Sequence, residues 1–229
     1  MITGETRLVG LLGDPVSGSL SPLMQNAAFA ARALNWSYVP LSVRSEELEQ
    51  AMRGLIALGF AGANVTTPHK VAAAQLVAAD VPSVNTLVVR DGRLEGTSTD
   101  AAVLTGIEFE RAAIIGNGGA ATAFAHALPA ARRFARRATW PPDVTGIELV
   151  VNATSEREEV IVALAHGQTL IDLPYPRTAT ARAAEAAGAT VVDGLEVLVA
   201  QGAAAFELWT GVPAPVEVMR AAVRSADGT

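Results

Sequence analysis

Cysteine is absent from the 229 residues. Disulfides, thiolate metal sites and cysteine nucleophiles are thereby excluded. Histidine occurs only at positions 69, 126 and 166. None has a partner three to five residues on, so no metal site is expected. Lysine is scarcer still: the 17 basic residues are arginines except for Lys70. A guanidinium cannot deprotonate in a protein and an ammonium can, so a lone lysine invites a task that arginine could not do. Long apolar runs are also missing. The most membrane-like stretch, 112–131, is broken by Gly116, Asn117, Gly118, Gly119, His126 and Pro129, and reads as strand, turn and helix. The first ten residues lack the apolar stretch of a signal peptide. A soluble cytoplasmic protein with no membrane partner is expected.

The composition present is 50% hydrophobic and 17% charged, with a net charge of −6. Half the residues being apolar excludes disorder. The acidic balance argues against a nucleic-acid partner. The length suits one large domain or two small ones.

Strands alternate with helical patterns, which indicates an α/β fold with largely parallel sheets. In the first part, strands are expected at 7–13, 36–43 and 62–65, and helices at 21–33, 45–58 and 68–78. Segments 84–89 and 93–95 flank Asp91-Gly92, a strong hairpin signal. A second part starts near residue 101. Thr99 or Asp100 can cap a helix reaching about 110. Strands follow at 112–115, 133–138, 148–152, 169–173 and 190–192, with helices to 128 and at 156–165 and 178–187. Helices at 195–208 and 216–224 end the chain, with Phe206 and Trp209 read as core. The expected fold is two-domain α/β: one domain over 1–100, completed by the helices of 200–229, and a shortened Rossmann-like domain over 101–199. The shortening is read from the connection 139–146, which carries Pro141 and Pro142. A parallel crossover with a helix needs about 10–12 residues, so a loop is expected there.

Three segments can carry chemistry. Gly116-Asn117-Gly118-Gly119-Ala120-Ala121 follows a strand and opens a helix. Its glycines would let the backbone approach a pyrophosphate at a helix N-terminus, although ordinary strand–helix turns share the pattern. The next strand ends in Arg136-Arg137 with no acid, which favours the 2′-phosphate of NADP over NAD, or else is a solvated edge. Asn64-Val65-Thr66-Thr67-Pro68-His69-Lys70 joins a strand to a helix. A lysine in a first turn opposes the helix dipole, so a purely structural role is disfavoured. Beside a carboxylate it could exchange a proton with a bound hydroxyl. Asp100 is the candidate partner, or else a simple cap.

These segments, with others, resemble the shikimate dehydrogenase family in an ordered series from residue 8 to about 211. Gly13-Asp14-Pro15 with Ser19-Leu20-Ser21-Pro22 resembles the family's GNP…HSxSP. Asn64–Lys70 is similar to NVTxPxK, Ser83–Leu87 to AVNTL, and Ser98-Thr99-Asp100 to NTD. Gly116–Ala121 resembles GAGGAA, Val151–Thr154 INAT, and Asp172–Tyr175 DLVY. Asp193-Gly194, Gln201 and Phe206–Gly211 resemble the closing DG…LxxQ…FexWTG. The resemblance implies a substrate domain followed by an NADP-binding domain. It implies reversible reduction of 3-dehydroshikimate to shikimate with NADPH, within aromatic amino acid biosynthesis. Carried over by position, Lys70 and Asp100 would be catalytic. Ser19 and Ser21 would hold the substrate carboxylate, and Asn64, Thr66, Asn85 and Gln201 its hydroxyls, with Tyr175 nearby. Gly116, Asn117, Gly118, Gly119, Ala120, Arg136, Arg137, Asn152 and Thr154 would bind NADP. The partner would be a small molecule, on a monomer or homodimer. The chain departs from the pattern at Gly18, Ser98 and Thr122, at the segment around Arg136, and at Ser155-Glu156-Arg157-Glu158, where the family has PLGM. Two alternatives are a paralogous dehydrogenase using quinate, another hydroxy acid or NAD, and a non-catalytic shikimate-binding homologue.

Overall fold

The computed structural model describes residues 2–107, 109–136 and 140–227. The chain forms two compact units, Met1–Thr99 with Val199–Thr229, and Asp100–Leu198.

The first unit is built on a five-stranded sheet of order β2-β1-β3-β4-β5. Its strands are β1 (Arg7–Gly13), β2 (Trp36–Ser42), β3 (Gly62–Val65), β4 (Thr86–Arg90) and β5 (Arg93–Thr97). The first three run parallel and the last two antiparallel. Asp91 and Gly92, both at positive φ, close the β4–β5 hairpin, the backbone that a tight primed turn requires. Helices α1 (Ser21–Ala31), α2 (Leu48–Ala57) and α3 (Lys70–Leu76) follow the parallel strands. Leu48, Met52 and Leu55 of α2 bury against Leu12, Phe60, Val65 and Leu87. Phe29 of α1 stacks on Phe206 with ring centroids 5.4 Å apart. The Trp209 indole N–H donates to the Leu87 carbonyl at 2.9 Å, so both aromatics read as core do lie in it.

The second unit has a parallel sheet of order β10-β9-β8-β6-β7. Its strands are β6 (Ala112–Ile115), β7 (Arg132–Phe134), β8 (Leu149–Asn152), β9 (Thr169–Asp172) and β10 (Thr190–Val192). Successive residues alternate faces. Ala113, Ile115, Val150 and Leu170 enter one cluster with Ala181 and Ala184. Ile114, Leu149, Val151 and Ile171 enter another with Ala121 and Phe124. Those partners come from α4 (Gly119–Ala127) and α5 (Ala179–Ala186). The Thr178 hydroxyl caps α5 by accepting the Ala181 N–H at 3.0 Å. Helix α6 (Gly194–Thr210) carries the chain back into the first unit, and α7 (Val216–Asp227) packs there against α1.

The connection between β7 and β8 contains no helix among its described residues. Val144 and Ile147 bury there in place of helix side chains. Four expectations are corrected. The helix expected at 156–165 is irregular chain. The Glu156 carboxylate accepts the backbone N–H of residues 157, 158 and 159, and the Thr180 hydroxyl accepts that of Ile161. The first-turn donors at 157–159 have no ladder partner in a helix, but the 161→157 bond is lost at both ends: Thr180 takes the Ile161 N–H and the Ala179 N–H donates to the Arg157 carbonyl at 2.7 Å. The helix expected from 99 to 110 is a 3₁₀ turn, Asp100–Leu104, stopped before Gly106 at φ +77°; the part of that expectation at 108 lies outside the described residues. The strand expected at 133–138 is Arg132–Phe134; the part of that expectation at 137 and 138 lies outside the described residues. The helix expected from Pro68 begins at Lys70, because residues 66–69 form a turn closed by the His69 N–H donating to the Thr66 carbonyl at 2.9 Å.

Candidate active site

In the first unit, the polar residues gather where β1 and β3 end. The Thr66 N–H donates to the Leu12 carbonyl at 2.8 Å, and the Asp14 N–H to the Thr67 carbonyl at 3.0 Å. Gly13 makes this crossing possible, since a Cβ there would lie 2.3 Å from Thr66 Cγ2. His69 is buried, its Nε2 2.7 Å from the Val43 carbonyl. A carbonyl only accepts, so Nε2 carries the proton. The imidazole thereby clamps the turn that delivers Lys70 as the first residue of α3. The Lys70 carbonyl accepts the Val84 N–H at 2.9 Å, which ties the lysine's backbone to the segment entering Asn85.

Asn85 is the hub of this region, 2% exposed. Its Oδ1 accepts the Thr99 N–H at 2.7 Å and the Thr86 hydroxyl at 3.0 Å. Its Nδ2 donates to Thr99 Oγ1 at 3.0 Å and to Gln201 Oε1 at 3.3 Å. Asn64 lies beside it. The Asn64 Nδ2 donates to the Asn85 carbonyl at 3.0 Å and to Thr86 Oγ1 at 3.1 Å, while its Oδ1 accepts the Tyr38 hydroxyl at 2.8 Å. The structure therefore brings Asn64, Asn85 and Gln201 into one hydrogen-bonded chain. Thr66 is two residues on from Asn64, half-buried in the turn.

Ser19 and Ser21 lie at the start of α1. The Ser21 N–H donates to Ser19 Oγ at 3.2 Å. A cleft of about 420 Å³ opens beside them, lined by Ser17, Ser19 and Ser42 together with Pro15, Val16, Pro22 and Pro40. Ser21 is itself buried.

In the second unit, β6 runs into Gly116 at φ +129°. A Cβ there would stand 2.7 Å from the Ala153 carbonyl oxygen, so the turn is packed onto the end of β8. Asn117 and Gly118 are exposed, and Gly119 and Ala120 are half-buried. Gly118, extended at the N-cap, offers no side chain to the first turn of α4. Asn152, fully buried, spends its amide inside the unit. Its Oδ1 accepts the Thr154 N–H and hydroxyl at 3.1 and 2.8 Å, and its Nδ2 donates to Asp172 at 2.6 Å. Asp172 also accepts the Thr178 hydroxyl at 2.7 Å. Burial holds the Asp172 carboxyl above its ordinary 3.8, opposed by those two hydrogen bonds.

Arg136 bonds to Glu156 at 3.3 Å and to Glu159 at 3.2 Å. Its guanidinium lies 5.4 Å from the Trp140 ring centroid. Hydrogen bonds from the backbone of 158 and 159 hold the Glu156 carboxyl below its ordinary value, with a smaller contribution from Arg136. Arg137 lies outside the described residues. Asp100 is buried as the first residue of the 3₁₀ turn, and Tyr175 is half-buried after β9. The sequence reading missed Tyr38 and His69 as determinants of this region. A tyrosine on an alternating strand and a buried histidine both pass for core, and only their partners reveal more.

Two family descriptions match the chain. The shikimate dehydrogenase substrate-binding domain matches residues 11–87, and the shikimate 5′-dehydrogenase C-terminal domain residues 194–224. A shikimate dehydrogenase (NADP(+)) of Anaeromyxobacter sp. (strain K) is 41% identical over 277 aligned positions, covering 100% of this chain and 99% of the relative. The alignment is longer than the 229-residue chain, so it carries gaps in this chain. The crystal structure of shikimate dehydrogenase from Aquifex aeolicus aligns with a TM-score of 0.86 at 29% identity, covering 98% of this chain and 100% of the other. That of shikimate 5-dehydrogenase from Thermus thermophilus, in complex with NADP(H) and shikimate, aligns at 0.81 and 29%, covering 96% and 99%. The chain belongs to the shikimate dehydrogenase family.

Proposed function

We propose that this protein catalyses the reversible, NADPH-dependent reduction of 3-dehydroshikimate to shikimate. The observation that carries the reading is the Asn85-centred chain of amides and hydroxyls. A substrate bearing several hydroxyls needs a donor or acceptor for each, and such a set discriminates strongly against analogues lacking one. Asn64, Thr66, Asn85 and Gln201 are assigned to the substrate hydroxyls. Ser19 and Ser21 are assigned to its carboxylate, on the cleft that Ser19 lines. Tyr175 completes the assigned set.

The residues of the second unit fit a dinucleotide. Gly116 makes an approach that no side chain would allow, and α4 opens on Gly118 and Gly119 with no capping side chain from Gly118. Backbone amides at such a start suit a pyrophosphate. Arg136, with Arg137, is assigned to the 2′-phosphate. Asn117 and Ala120 are assigned to the turn that meets the pyrophosphate. Asn152 and Thr154 are given the task of shaping that turn, because the Asn152 amide is consumed within the unit. Held by these residues, NADP⁺ would supply the hydride acceptor for the carbinol oxidation.

The residues of the chain manage the accompanying proton. As the carbinol C–H leaves with its electron pair, the O–H proton passes to the neutral Lys70 amine, which becomes an ammonium. In the reductive direction that ammonium returns the proton to the oxygen. Asp100 is assigned as the carboxylate partner of Lys70. Connectivity supports the pair: Asp100 directly follows Thr99, whose N–H bonds to Asn85, and the Lys70 carbonyl bonds to Val84, the residue before Asn85. A cytoplasmic location and a monomeric or dimeric state belong to the same reading. No described helix is long and apolar enough to cross a membrane. The test is a spectrophotometric assay of shikimate with NADP⁺ and with NAD⁺ in parallel. Reduction of NADP⁺ well ahead of NAD⁺ is expected; reduction of neither refutes the reading.

A further inference from the structure

We propose that Tyr38 is a positioning residue for substrate recognition, acting through Asn64. Two backbone groups fix the polarity of the buried amides. The Thr99 N–H can only donate, so Asn85 must turn its oxygen to it and its nitrogen to Gln201. The Asn85 carbonyl can only accept, so Asn64 must turn its nitrogen there. The second Asn64 N–H is taken by Thr86 Oγ1. Asn64 Oδ1 therefore faces Tyr38, and the Tyr38 hydroxyl donates to it at 2.8 Å.

Tyr38 is built to do this from a fixed place. Asn26 holds its backbone at both ends, accepting the Tyr38 N–H at 2.9 Å and donating to the Tyr38 carbonyl at 2.9 Å. Its ring lies 6.1 Å from that of Trp209, tilted by 52°. Its hydroxyl hydrogen is spent on Asn64 Oδ1, so Tyr38 is assigned to act through its neighbour. With both amide hydrogens committed, Asn64 can only accept from a substrate group, through the remaining lone pair of Oδ1. The site thus selects a hydroxyl that donates at this point. The inference rests on the reading that Asn64 meets the substrate.

The test measures shikimate binding calorimetrically without dinucleotide, and steady-state kinetics, for Tyr38→Phe, Asn64→Ala, the double variant and Trp209→Phe. Tyr38→Phe keeps the ring and removes one oxygen. It is expected to weaken shikimate binding and raise the shikimate KM by about fivefold to tenfold, the effect of one neutral hydrogen bond. Both kcat and the KM for NADP⁺ stay within twofold. The double variant binds no more weakly than Asn64→Ala alone. Trp209→Phe, which removes the hydrogen bond to the Leu87 carbonyl and changes the ring contact but leaves every bond of Asn64 and Asn85 in place, binds as the parent does. If Asn64→Ala loses binding while Tyr38→Phe does not, or if the two losses add, the role of Tyr38 is overturned and the reading of Asn64 stands. If Asn64→Ala binds shikimate as the parent does, the reading of Asn64 fails and takes the inference with it. Equal losses in Tyr38→Phe and Trp209→Phe make Tyr38 a packing residue only.

Discussion

Asn85 Oδ1 accepts the backbone N–H of Thr99 at 2.7 Å, and the residue after Thr99 is Asp100. One buried carboxamide thus fixes the backbone just before the proposed carboxylate partner of Lys70. The same carboxamide presents its nitrogen to Gln201. Asn85→Asp keeps an acceptor for Thr99 but sets an oxygen against Gln201 Oε1. Shikimate affinity is expected to fall about tenfold or more, read by calorimetry. Asn85→Ala strands several buried groups, each worth about 1–3 kcal/mol. A clear loss of stability in urea denaturation is expected; an unchanged urea midpoint would show that Asn85 is no hub.

Arg136 meets two carboxylates, Glu156 and Glu159, where a 2′-phosphate is proposed to bind. A charge-assisted bond contributes about 1.5–3 kcal/mol. Arg136→Ala is therefore expected to weaken binding of 2′,5′-ADP at least tenfold and to leave 5′-AMP unchanged. Equal losses for both nucleotides would remove Arg136 from the 2′-phosphate.

Gly116 combines φ +129° with a Cβ position 2.7 Å from the Ala153 carbonyl oxygen. Gly116→Ala adds backbone strain of about 1–3 kcal/mol and pushes the turn off β8. The expected outcome is a loss of NADP⁺ affinity of tenfold or more, with shikimate binding intact in the first unit. Retention of parental NADP⁺ affinity would take the turn out of the dinucleotide site.

Asp172 is buried, and its carboxyl is held above the ordinary 3.8. An acid raised in the folded state contributes stability below its unfolded value and loses it as pH rises through the folded one. The stability of the parent relative to Asp172→Asn should therefore decline as pH rises from just below 4 through that window. Denaturation midpoints of both proteins across pH 3.5–7 test this. A difference that grows with pH would reverse the assigned sign.

Much of this is legible in the sequence. Asp91-Gly92 marks the hairpin because few residues adopt positive φ in succession. No helix forms between β7 and β8 among the described residues, as expected, but length is not the reason. β7 ends at Phe134 and β8 begins at Leu149, so residues 135–148 are enough for a helical crossover, and Pro141 and Pro142 interrupt the segment instead. Asn64, Asn85, Lys70 and the glycine turn are recognisable as motifs. The segment 156–165 is not, because Ile161, Val162 and Leu164 fit a helix as well as a loop. What decides is capture of its backbone by Thr180, which takes the Ile161 N–H, and by Ala179, whose N–H donates to the Arg157 carbonyl, and both lie too far along the chain for a local pattern to show it. Asn152 reads from its motif as a cofactor contact, but its amide is consumed by Thr154 and Asp172, the latter twenty residues on. Tyr38 is invisible for the same reason: its burial follows from strand alternation, and its partner 26 residues later does not.

The account turns on the one lysine of the chain. The direct test is Lys70→Ala, with turnover followed as NADPH formation from shikimate and NADP⁺ and with shikimate binding measured calorimetrically. A general acid–base group contributes about 10²–10⁴-fold, so turnover should fall by that range while shikimate binding stays within a few fold of the parent. A Lys70→Ala protein that turns over at the parental rate would contradict the account.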